Sequence, residues 1–277
     1  MLASTAAPAI AGSACTKSLR KGNVKAFVAS LSAGETGCIH GRYNVGTWQI
    51  ENARITLRGD ATFHGVIYLE APRVTLKGFT LNGANIQDPT LVIYANRATI
   101  RRMNITNDAS GWECILIGSR ELPTVLGARI LRSRLHDCGP PGVQHHGIYV
   151  DRSDGAVIKN NVIKRIPYWG LQLYPYSTNT LVAHNRIQNV GRSSVLFGSQ
   201  YENGTSSGNV VRYNILAYPA LWYSQTYWGG LVGSGNVLAR NCVWGAARGV
   251  SDGGSGVSVR HNVIALPKRC PDLMGPL

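Results

Sequence analysis

The chain has 277 residues, enough for one large domain with a substantial buried core. Its 28 Lys and Arg against 14 Asp and Glu give a formal net charge of +14, although charged residues make up only 15% of the sequence. No apolar run is long enough to span a bilayer, and no helix-turn-helix, zinc-finger or RNA-binding signature is present, so membrane and nucleic-acid partners are not favoured. A cationic surface of this kind favours a polyanionic partner, with a role in solubility as the alternative.

The N-terminal segment, residues 1–14, is small and apolar and is typical of a trimmed signal peptide. Residues 15–277 are predicted to form a single domain, which begins with a helix-like segment at 23–31 that would cover the open end of the fold. An even number of cysteines beside a signal-like start favours disulfides and a secreted, extracellular protein. The six are Cys15, Cys38, Cys114, Cys138, Cys242 and Cys270.

One short phrase recurs along the rest of the chain, roughly every 25 residues. Its nine copies are RITLRGD (54–60), RVTLKGF (73–79), ATIRRMN (98–104), ARILRSR (128–134), AVIKNNV (156–162), TLVAHNR (180–186), NVVRYNI (209–215), NVLARNC (236–242) and VSVRHNV (257–263). Between them lie further predicted strands, namely CILIG (114–118), GIYVD (147–151), GLQLY (170–174), SVLFG (194–198) and ALWYS (220–224). Units this small cannot bury an apolar face alone and must stack, which predicts a single all-β parallel β-helix of about nine coils.

One column of the aligned phrases ends in five consecutive asparagines, Asn161, Asn185, Asn214, Asn241 and Asn262. A single Asn is ordinarily a turn residue. Identical amides stacked one per coil can instead hydrogen-bond to one another along the stack. The column therefore predicts a buried asparagine ladder.

These phrases, with the opening SLSAGETGCIHGRYN (30–44), resemble the right-handed parallel β-helix superfamily that includes pectate lyases and the alginate lyase and chondroitinase B family. HHGIYV (145–150) and GLQLYP (170–175) also resemble a group of secreted bacterial β-helix proteins. The resemblance implies the fold and is consistent with lyase activity. The Asp cluster of calcium-dependent pectate lyases is not found here, and the Lys and Arg pair of the chondroitinase B family cannot be placed, so activity does not follow from the fold.

Stacked coils also constrain the cysteines. Neighbouring strands lie about 4.8 Å apart, within the Cα separation of roughly 4.4 to 6.8 Å that a disulfide needs. Cysteines one coil apart are therefore predicted to pair as Cys15 with Cys38, Cys114 with Cys138, and Cys242 with Cys270.

Strand alternation places Ile148 and Val150 inward and Tyr149 and Asp151 outward. The same rule predicts two outward rows over consecutive coils, Tyr149, Gln172, Leu196 and Trp222 beside Asp151, Tyr174, Gly198 and Ser224. Nearby loops add Trp169 and Tyr176. Aromatic side chains in line suit sugar rings, which predicts a carbohydrate-binding groove, with packing of loops against the coil as the alternative.

A second outward column lies two residues before the asparagine column and is largely cationic. It comprises Arg58, Lys77, Arg101, Leu131, Lys159, Ala183, Arg212, Ala239 and Arg260. Like charges this close repel one another, so the column favours a bound polyanion. Cations staggered along a surface to prevent edge aggregation are nearly as good an explanation.

The stretch HHGIYVDRSD (145–154) combines a histidine pair with an outward Tyr and Asp. It predicts a lyase that cleaves an acidic, uronate-containing polysaccharide by β-elimination. His145 or His146 would act as the base, Tyr149 or Tyr174 as the acid, and Arg152 or Lys159 would neutralise the carboxylate. Sequence leaves open which histidine faces the groove. Substrate binding is assigned to Asp151, Lys159, Trp169, Gln172, Tyr176 and Trp222.

Two alternatives stay open. A glycoside hydrolase needs two carboxyl groups flanking the bond, for which Asp137 and Asp151 are the candidates. A non-catalytic polysaccharide-binding module needs only the groove and the charge. No cofactor motif or metal-ligand spacing is present, and a divalent cation held by Asp137, Asp151 or Asp154 has no support beyond their proximity in sequence. A monomer is expected.

Overall fold

Short strands separated by sharp bends wind the chain into stacked coils, each strand lying over its counterpart in the next coil. The computed structural model describes residues 14–198, 205–220, 225–227 (backbone only), 232–246, 250 and 256–264. Within these residues every strand pair is parallel; in one such pair, Arg129 lies beside Val157 and Leu131 beside Lys159. The predicted parallel β-helix is confirmed.

The first side of the coil, called face 1, is an 11-stranded sheet. Its strands are β1 (Lys17–Leu19), β2 (Thr36–Ile39), β4 (Thr56–Gly59), β6 (Thr75–Lys77), β9 (Thr99–Arg101), β13 (Arg129–Leu131), β17 (Val157–Lys159), β21 (Leu181–Ala183), β24 (Val210–Arg212), β27 (Asn236–Ala239) and β29 (Val257–Arg260). The nine from β4 onward coincide with the nine repeat phrases. β1 and β2 precede the first phrase and extend the sheet beyond the predicted nine coils.

The other two sides belong to one 16-stranded sheet, because the long strands β3 (Arg42–Ile50) and β5 (Thr62–Leu69) run through the corner between them. Face 2 continues with β7 (Thr80–Asn82), β10 (Asn104–Thr106), β14 (Arg134–His136), β18 (Val162–Ile166), β22 (Arg186–Val190), β25 (Ile215–Pro219), β28 (Cys242–Trp244) and β30 (Val263–Ile264). Face 3 continues with β8 (Leu91–Ile93), β11 (Ile115–Ile117), β15 (Ile148–Val150), β19 (Leu171–Leu173), β23 (Val195–Phe197) and β26 (Gln225–Tyr227).

A short three-stranded sheet joins face 3 back to face 1 in three coils, as β12 (Val125–Leu126), β16 (Ser153–Asp154) and β20 (Ser177–Thr178). The helix α1 (Val24–Ala29) buries Val24 and Val28 against the first coils. It is shorter than the predicted segment because the side chain of Asn23 caps its first turn and Ser30 ends it. No helix in the described part of the chain is both long and apolar enough to cross a membrane.

One inward residue per coil fills the centre of face 1, and the interior is a continuous stack of such apolar layers. The column Ile100, Ile130, Ile158, Val182, Val211 and Leu238 is fully buried. Because side chains alternate along a strand, the residues on either side of this column point outward. Burial of stacked branched side chains is the main favourable contribution to folding.

The bend from face 1 to face 2 has the same conformation in consecutive coils. From β6 to β29 the residue after each face 1 strand is left-handed, for instance Arg102 (φ 53°), Arg132 (φ 50°), Arg240 (φ 54°) and His261 (φ 54°). An earlier coil uses Gly78 (φ 87°) there. Glycine adopts this region freely, whereas other residues do so at a cost in conformational free energy. The non-glycine residues at this bend therefore have an unfavourable backbone conformation.

The asparagine ladder directly follows this bend and is confirmed. The backbone N–H and the Nδ2 of Asn161 both donate to Oδ1 of Asn185, at 2.9 and 3.0 Å, and the pattern repeats to Asn214, Asn241 and Asn262. Each amide also donates to a backbone carbonyl of the preceding coil, for instance Asn185 to Ile158 at 2.8 Å. The ladder satisfies the backbone groups that the bend leaves without strand partners.

Two of the three predicted disulfides are confirmed. Cys15 bonds Cys38 and Cys114 bonds Cys138, with Cα separations of 5.7 and 5.3 Å. Cys270, the predicted partner of Cys242, lies outside the described residues.

The third bridge remains testable. We expect non-reducing peptide mapping to recover Cys242 linked to Cys270, because the two observed bridges leave only these cysteines and both observed bridges join neighbouring coils. Recovery of either residue as a free thiol, or of Cys270 linked to Cys15, would contradict the stacking argument.

One predicted strand pairing was wrong. The sequence predicts that 220–224 pairs with 194–198, but the strand in register with β23 is β26, and Leu196 lies beside Thr226. The apolar pattern of ALWYS matched the strand template, while the coil places its strand several residues later. Trp222 lies outside the described residues.

A candidate active site on face 3

A cleft of about 390 Å³ opens over the middle of face 3, across β8, β11 and β15 and the loops that lead into them. Its lining includes Asp88, Tyr94, Trp112, Glu113, Arg120, His145, His146, Tyr149 and Asp151. A second hollow of about 580 Å³ adjoins it and shares Tyr94. The cleft gathers titratable, cationic and aromatic groups from three successive coils.

Strand register explains how the coil builds this surface. Val92, Leu116, Tyr149 and Gln172 lie side by side in consecutive strands, and Tyr149 points outward as predicted. Its neighbours Ile148 and Val150 are fully buried in the core. Residues just before and after each strand are therefore stacked too, which brings chain positions more than 30 residues apart into one site.

His145 forms a dyad with Glu113. The Nδ1 of His145 lies 3.2 Å from Oε1 of Glu113, with side chains 17% and 10% exposed. The imidazole also stacks on Trp112, at 6.0 Å between ring centroids and 15° between planes. A carboxylate at Nδ1 favours the tautomer that leaves Nε2 unprotonated, so this ring is held in the orientation that a general base needs.

His146 lies deeper in the same wall. It is 5% exposed, stacks on Trp169 at 5.1 Å and meets the ring of Tyr149 edge-on at 5.4 Å. Burial lowers its pKa to about 4, so it is neutral at physiological pH. Its buried Nδ1 has no hydrogen-bond partner among the described residues. Of the two histidines, His145 is the more accessible from the cleft.

Tyr149 faces Arg120 across the cleft. Burial is the main cause that raises the pKa of the Tyr149 hydroxyl, which therefore stays protonated, while the positive charge of Arg120 acts in the opposite direction. Arg120 itself is exposed. The predicted second acid, Tyr174, lies one coil on, with its ring 6.5 Å from that of Tyr149. A protonated phenol beside an accessible guanidinium is a proton donor next to an anion-binding group.

Asp151 closes the far end of the cleft. It is 5% exposed and its Oδ2 accepts the backbone N–H of Arg120 at 3.2 Å. Burial raises the pKa of this carboxyl to about 6, and Oδ1 has no partner in the described part of the chain. Asp151 can therefore exchange a proton near neutral pH.

The raised pKa has a measurable consequence for stability. The folded state binds the Asp151 proton more tightly than the unfolded state, so this group lowers the free energy of unfolding as pH rises from about 4 to about 6. We expect Asp151→Asn to be more stable than the parent at about pH 7, by up to roughly 2 kcal/mol, with the advantage gone near pH 3.5. Denaturant unfolding at both pH values measures the difference.

The exposed Glu121→Gln variant removes the same charge from nearby and serves as the control. A stability gain for Asp151→Asn that is independent of pH, or matched by Glu121→Gln, would contradict the assigned pKa.

Asp88 is a third carboxyl group in the lining, and the hydroxyl of Tyr68 donates a hydrogen bond to its Oδ2. Burial raises the pKa of Asp88 as well. The cleft therefore contains three carboxyl groups, those of Asp88, Glu113 and Asp151, whereas the sequence predicts only Asp137 and Asp151 as candidates.

Several residues assigned to substrate binding lie elsewhere. Lys159 is on face 1, in β17, because it belongs to a repeat phrase and not to a face 3 strand. Trp169 is 2% exposed and packs beneath His146, and Gln172 is 5% exposed. These three residues therefore do not line the cleft. Their positions in the sequence predict that they do, but strand register places Lys159 on another face, and packing buries Trp169 and Gln172.

Arg152 and Tyr176 follow the face 3 strands without lining the cleft. Arg152 donates to the carbonyl of Arg120 at 2.9 Å, and its guanidinium lies 5.1 Å from the ring centre of Tyr176. It supports the backbone of Arg120 and is not the group that faces a substrate in the cleft. Arg120, and not Arg152, lines the cleft.

The predicted hydrolase pair is not assembled. Asp137 is held by a bidentate contact with Arg165, at 2.6 Å and 2.5 Å, which is the main cause that lowers its pKa to about 2. It lies outside the cleft lining. Asp154 binds Thr178 and Asn179 on the short sheet. Across the described ranges no group of three or more His, Cys, Asp or Glu is placed to hold a metal ion.

Sequence reasoning missed Arg120, Glu113, Trp112 and Asp88. The signal for the first three was the strand CILIG, which aligns with GIYVD, while Asp88 precedes β8 in the coil before it. Residues flanking two aligned strands must lie next to each other, so the segments before and after CILIG could have been added to the site.

The family model described as right handed beta helix region matches residues 42–264. Among solved structures, the Azotobacter vinelandii mannuronan C-5 epimerase AlgE6 A-module is similar at 14% identity and TM-score 0.62, over 85% of this chain and 79% of that chain. The pectate lyase Pel9A is similar at 14% identity and TM-score 0.64, over 91% and 80%. An alginate lyase from Paenibacillus sp. str. FPU-7 is similar at 13% identity and TM-score 0.56, over 90% and 99%. No curated protein sequence matches significantly. At these identities the likeness concerns the fold.

Proposed function

Because this chain belongs to the right handed beta helix family, we propose that it is a polysaccharide lyase that cleaves an acidic, uronate-containing polysaccharide in the face 3 cleft. The observation that carries the proposal is the His145–Glu113 dyad, accessible from the cleft and close to Arg120 and Tyr149. These are the parts that β-elimination requires. The named activities of the similar structures, on alginate and pectate, agree with a uronate substrate.

His145 is the proposed base. In β-elimination the base removes the proton at C5 of the uronate, next to its carboxylate. Glu113 holds Nδ1 of His145, which leaves Nε2 as the proton acceptor and stabilises the imidazolium that forms. Trp112, which is 40% exposed, stacks on the imidazole and offers an apolar surface to a sugar ring.

Arg120 is the proposed neutralising group. Removal of the C5 proton places negative charge on the carboxylate as it becomes an enolate, and a guanidinium can bind both oxygens at once. The backbone of Arg120 is fixed by Asp151 on one side and Arg152 on the other. The backbone that carries the guanidinium is therefore held in place by hydrogen bonds on both sides.

Tyr149 is the proposed acid. Departure of the glycosidic oxygen from C4 breaks the C4–O bond and forms the C4–C5 double bond, and the leaving oxygen needs a proton. The raised pKa of Tyr149 keeps its hydroxyl protonated, and its distance from bulk solvent favours direct transfer. Asp151, with its pKa of about 6, is the second group able to supply that proton.

The test is the ultraviolet absorbance of unsaturated uronate ends, on alginate, pectate, glucuronan and glycosaminoglycans. The proposal expects absorbance on at least one polymer. A change in uronate composition without new ends would mean that proton abstraction is followed by epimerisation. If none of these polysaccharides is cleaved, the protein is better described as a polysaccharide-binding module.

Glycoside hydrolysis is the second candidate, favoured by the three carboxyl groups Asp88, Glu113 and Asp151 in one cleft. A hydrolase needs one protonated and one ionised carboxyl group. New reducing ends without absorbance would favour it, and the residues to replace would then be these three and not Asp137. In either case we propose that the protein acts outside the cytoplasm, in keeping with its disulfides.

A further inference from the structure

A strip of cations runs along the corner between face 1 and face 2, on a different side of the coil from the cleft. It combines the outward column of face 1 with the left-handed bend residues that follow it, and is called the basic track. In its first half it contains Lys77, Arg101, Arg102, Arg132, Arg134 and Lys159. The strand register puts these residues in line, as Lys77 beside Arg101 and Leu131 beside Lys159.

The track continues over the later coils. Tyr213 occupies the bend there, with the guanidinium of Arg212 5.7 Å and that of Arg240 5.9 Å from its ring centre. Nη1 of Arg240 also donates to the Tyr213 hydroxyl at 2.6 Å. Arg260 and His261 complete a hollow of about 480 Å³ around this group. A similar hollow of about 360 Å³ lies in the first half, lined by Arg102, Arg132 and Arg134 among others.

The positive charge on the first half of the track has no acidic partner among the described residues. From β6 to β30, no described position on face 1, at the bend or at the start of a face 2 strand is Asp or Glu. Arg101, Arg102 and Arg132 form no ion pair with any acid in the described part of the chain. Like charges spaced by one coil repel one another, so the track favours a bound polyanion.

The bend backbone gives independent support. Arg102, Arg132 and Arg240 have left-handed backbones, at φ 53°, 50° and 54°, where glycine would be easier to accommodate. Gly78 shows that the same bend accepts glycine in an earlier coil. Of the seven non-glycine residues at this bend after β9 to β29, three are arginines and none is acidic, which agrees with a use for positive charge.

We propose that the basic track is a second polysaccharide-binding surface, which holds an acidic polysaccharide chain along the coil axis. It keeps the enzyme bound to its polymer while bonds are cleaved in the cleft. This rests on the proposed function. The match is geometric: coils repeat about every 4.8 Å, close to the length of one pyranose residue, so one coil faces one sugar. Tyr213 supplies an apolar face among the cations.

The test compares two triple variants with equal loss of charge. Arg101→Gln with Arg102→Gln and Arg132→Gln removes the centre of the track, while Arg20→Gln with Lys21→Gln and Arg42→Gln removes three exposed cations near the N-terminal coil. We expect the Kd for long-chain polygalacturonate or alginate to rise about tenfold in the track variant and less than about twofold in the control. Turnover of a short oligouronate should be unchanged in both.

Equal weakening in both triple variants would overturn the track as a site, since net charge alone would then explain binding. Displacement of the polysaccharide by single-stranded DNA at lower concentration, in the parent and not in the track variant, would overturn the choice of partner. If the track variant does not fold, Arg134→Gln with Lys159→Gln is compared instead with Arg20→Gln with Lys21→Gln, which removes the same two charges.

Binding needs no turnover, so the two proposals fail separately. If no polysaccharide is cleaved but the track variant still loses binding, the proposed function is wrong and the track stands. If cleavage occurs and the track variant binds polymer like the parent, the track alone is wrong.

Discussion

Turnover of His145→Gln on the susceptible polysaccharide is expected to fall by about 10²- to 10⁴-fold, which is the usual contribution of a positioned acid or base. Glutamine keeps a hydrogen-bonding group near Glu113 but cannot accept the C5 proton. The melting temperature should change little, because His145 lies at the surface of the coil and packs mainly on Trp112. Initial rates at saturating substrate, with thermal unfolding in parallel, measure both.

The turnover of Glu113→Gln is a second test of the same dyad. If Glu113 acts by orienting and charging His145, its loss should cost less than that of His145, and the double variant should be no worse than His145→Gln alone. The matched control is His64→Gln, an exposed histidine on face 2. Parent-like turnover of His145→Gln would remove it from the mechanism and leave Asp151 as the base to test.

The asparagine ladder should give the largest effect on stability. Asn214→Leu removes the acceptor for two donors of Asn185 and leaves the carbonyl of Val182 without the amide that now binds it at 2.9 Å. All of these groups are buried, and each one left without a partner costs about 1 to 3 kcal/mol. We expect the free energy of unfolding to fall by at least about 3 kcal/mol.

Urea unfolding of the purified protein measures this change. Thr47→Leu, at an exposed position in β3, is the control and should alter the free energy of unfolding by less than about 0.5 kcal/mol. A value for Asn214→Leu as small as that of the control would mean that leucine is accommodated without loss of any buried partner.

The architecture could be predicted because it repeats. Nine copies of one phrase specify nine strands of face 1, and a column of identical residues such as Asn161 and Asn185 reports the stacking directly. Where the copies diverged, prediction failed: the partner of β23 is β26 and not the predicted 220–224, because segments of variable length between the phrases shift the register without altering the apolar pattern.

The candidate site was predicted only in part for the same physical reason. Tyr149 and Asp151 follow from alternation within one strand. The partners Glu113 and Arg120 come from the preceding coil, and their approach depends on loops whose lengths carry no periodic signal. Trp169 and Gln172 show the opposite error, in which a residue predicted to bind substrate is not accessible. A large or polar side chain near a groove can still be buried beneath it.

The bridge between Cys114 and Cys138 lies directly beside the dyad. Cys114 follows Glu113 in the chain, and Cys138 begins the segment that leads to His145, so one covalent bond ties together the two backbones that carry the proposed base and its partner. Both cysteines are buried, so Cys114→Ser with Cys138→Ser is the direct way to open this bond, and turnover should fall while the stacked coils stay folded. Closing of one covalent bond would then be the step that assembles the dyad, and the chain without it would be folded but idle.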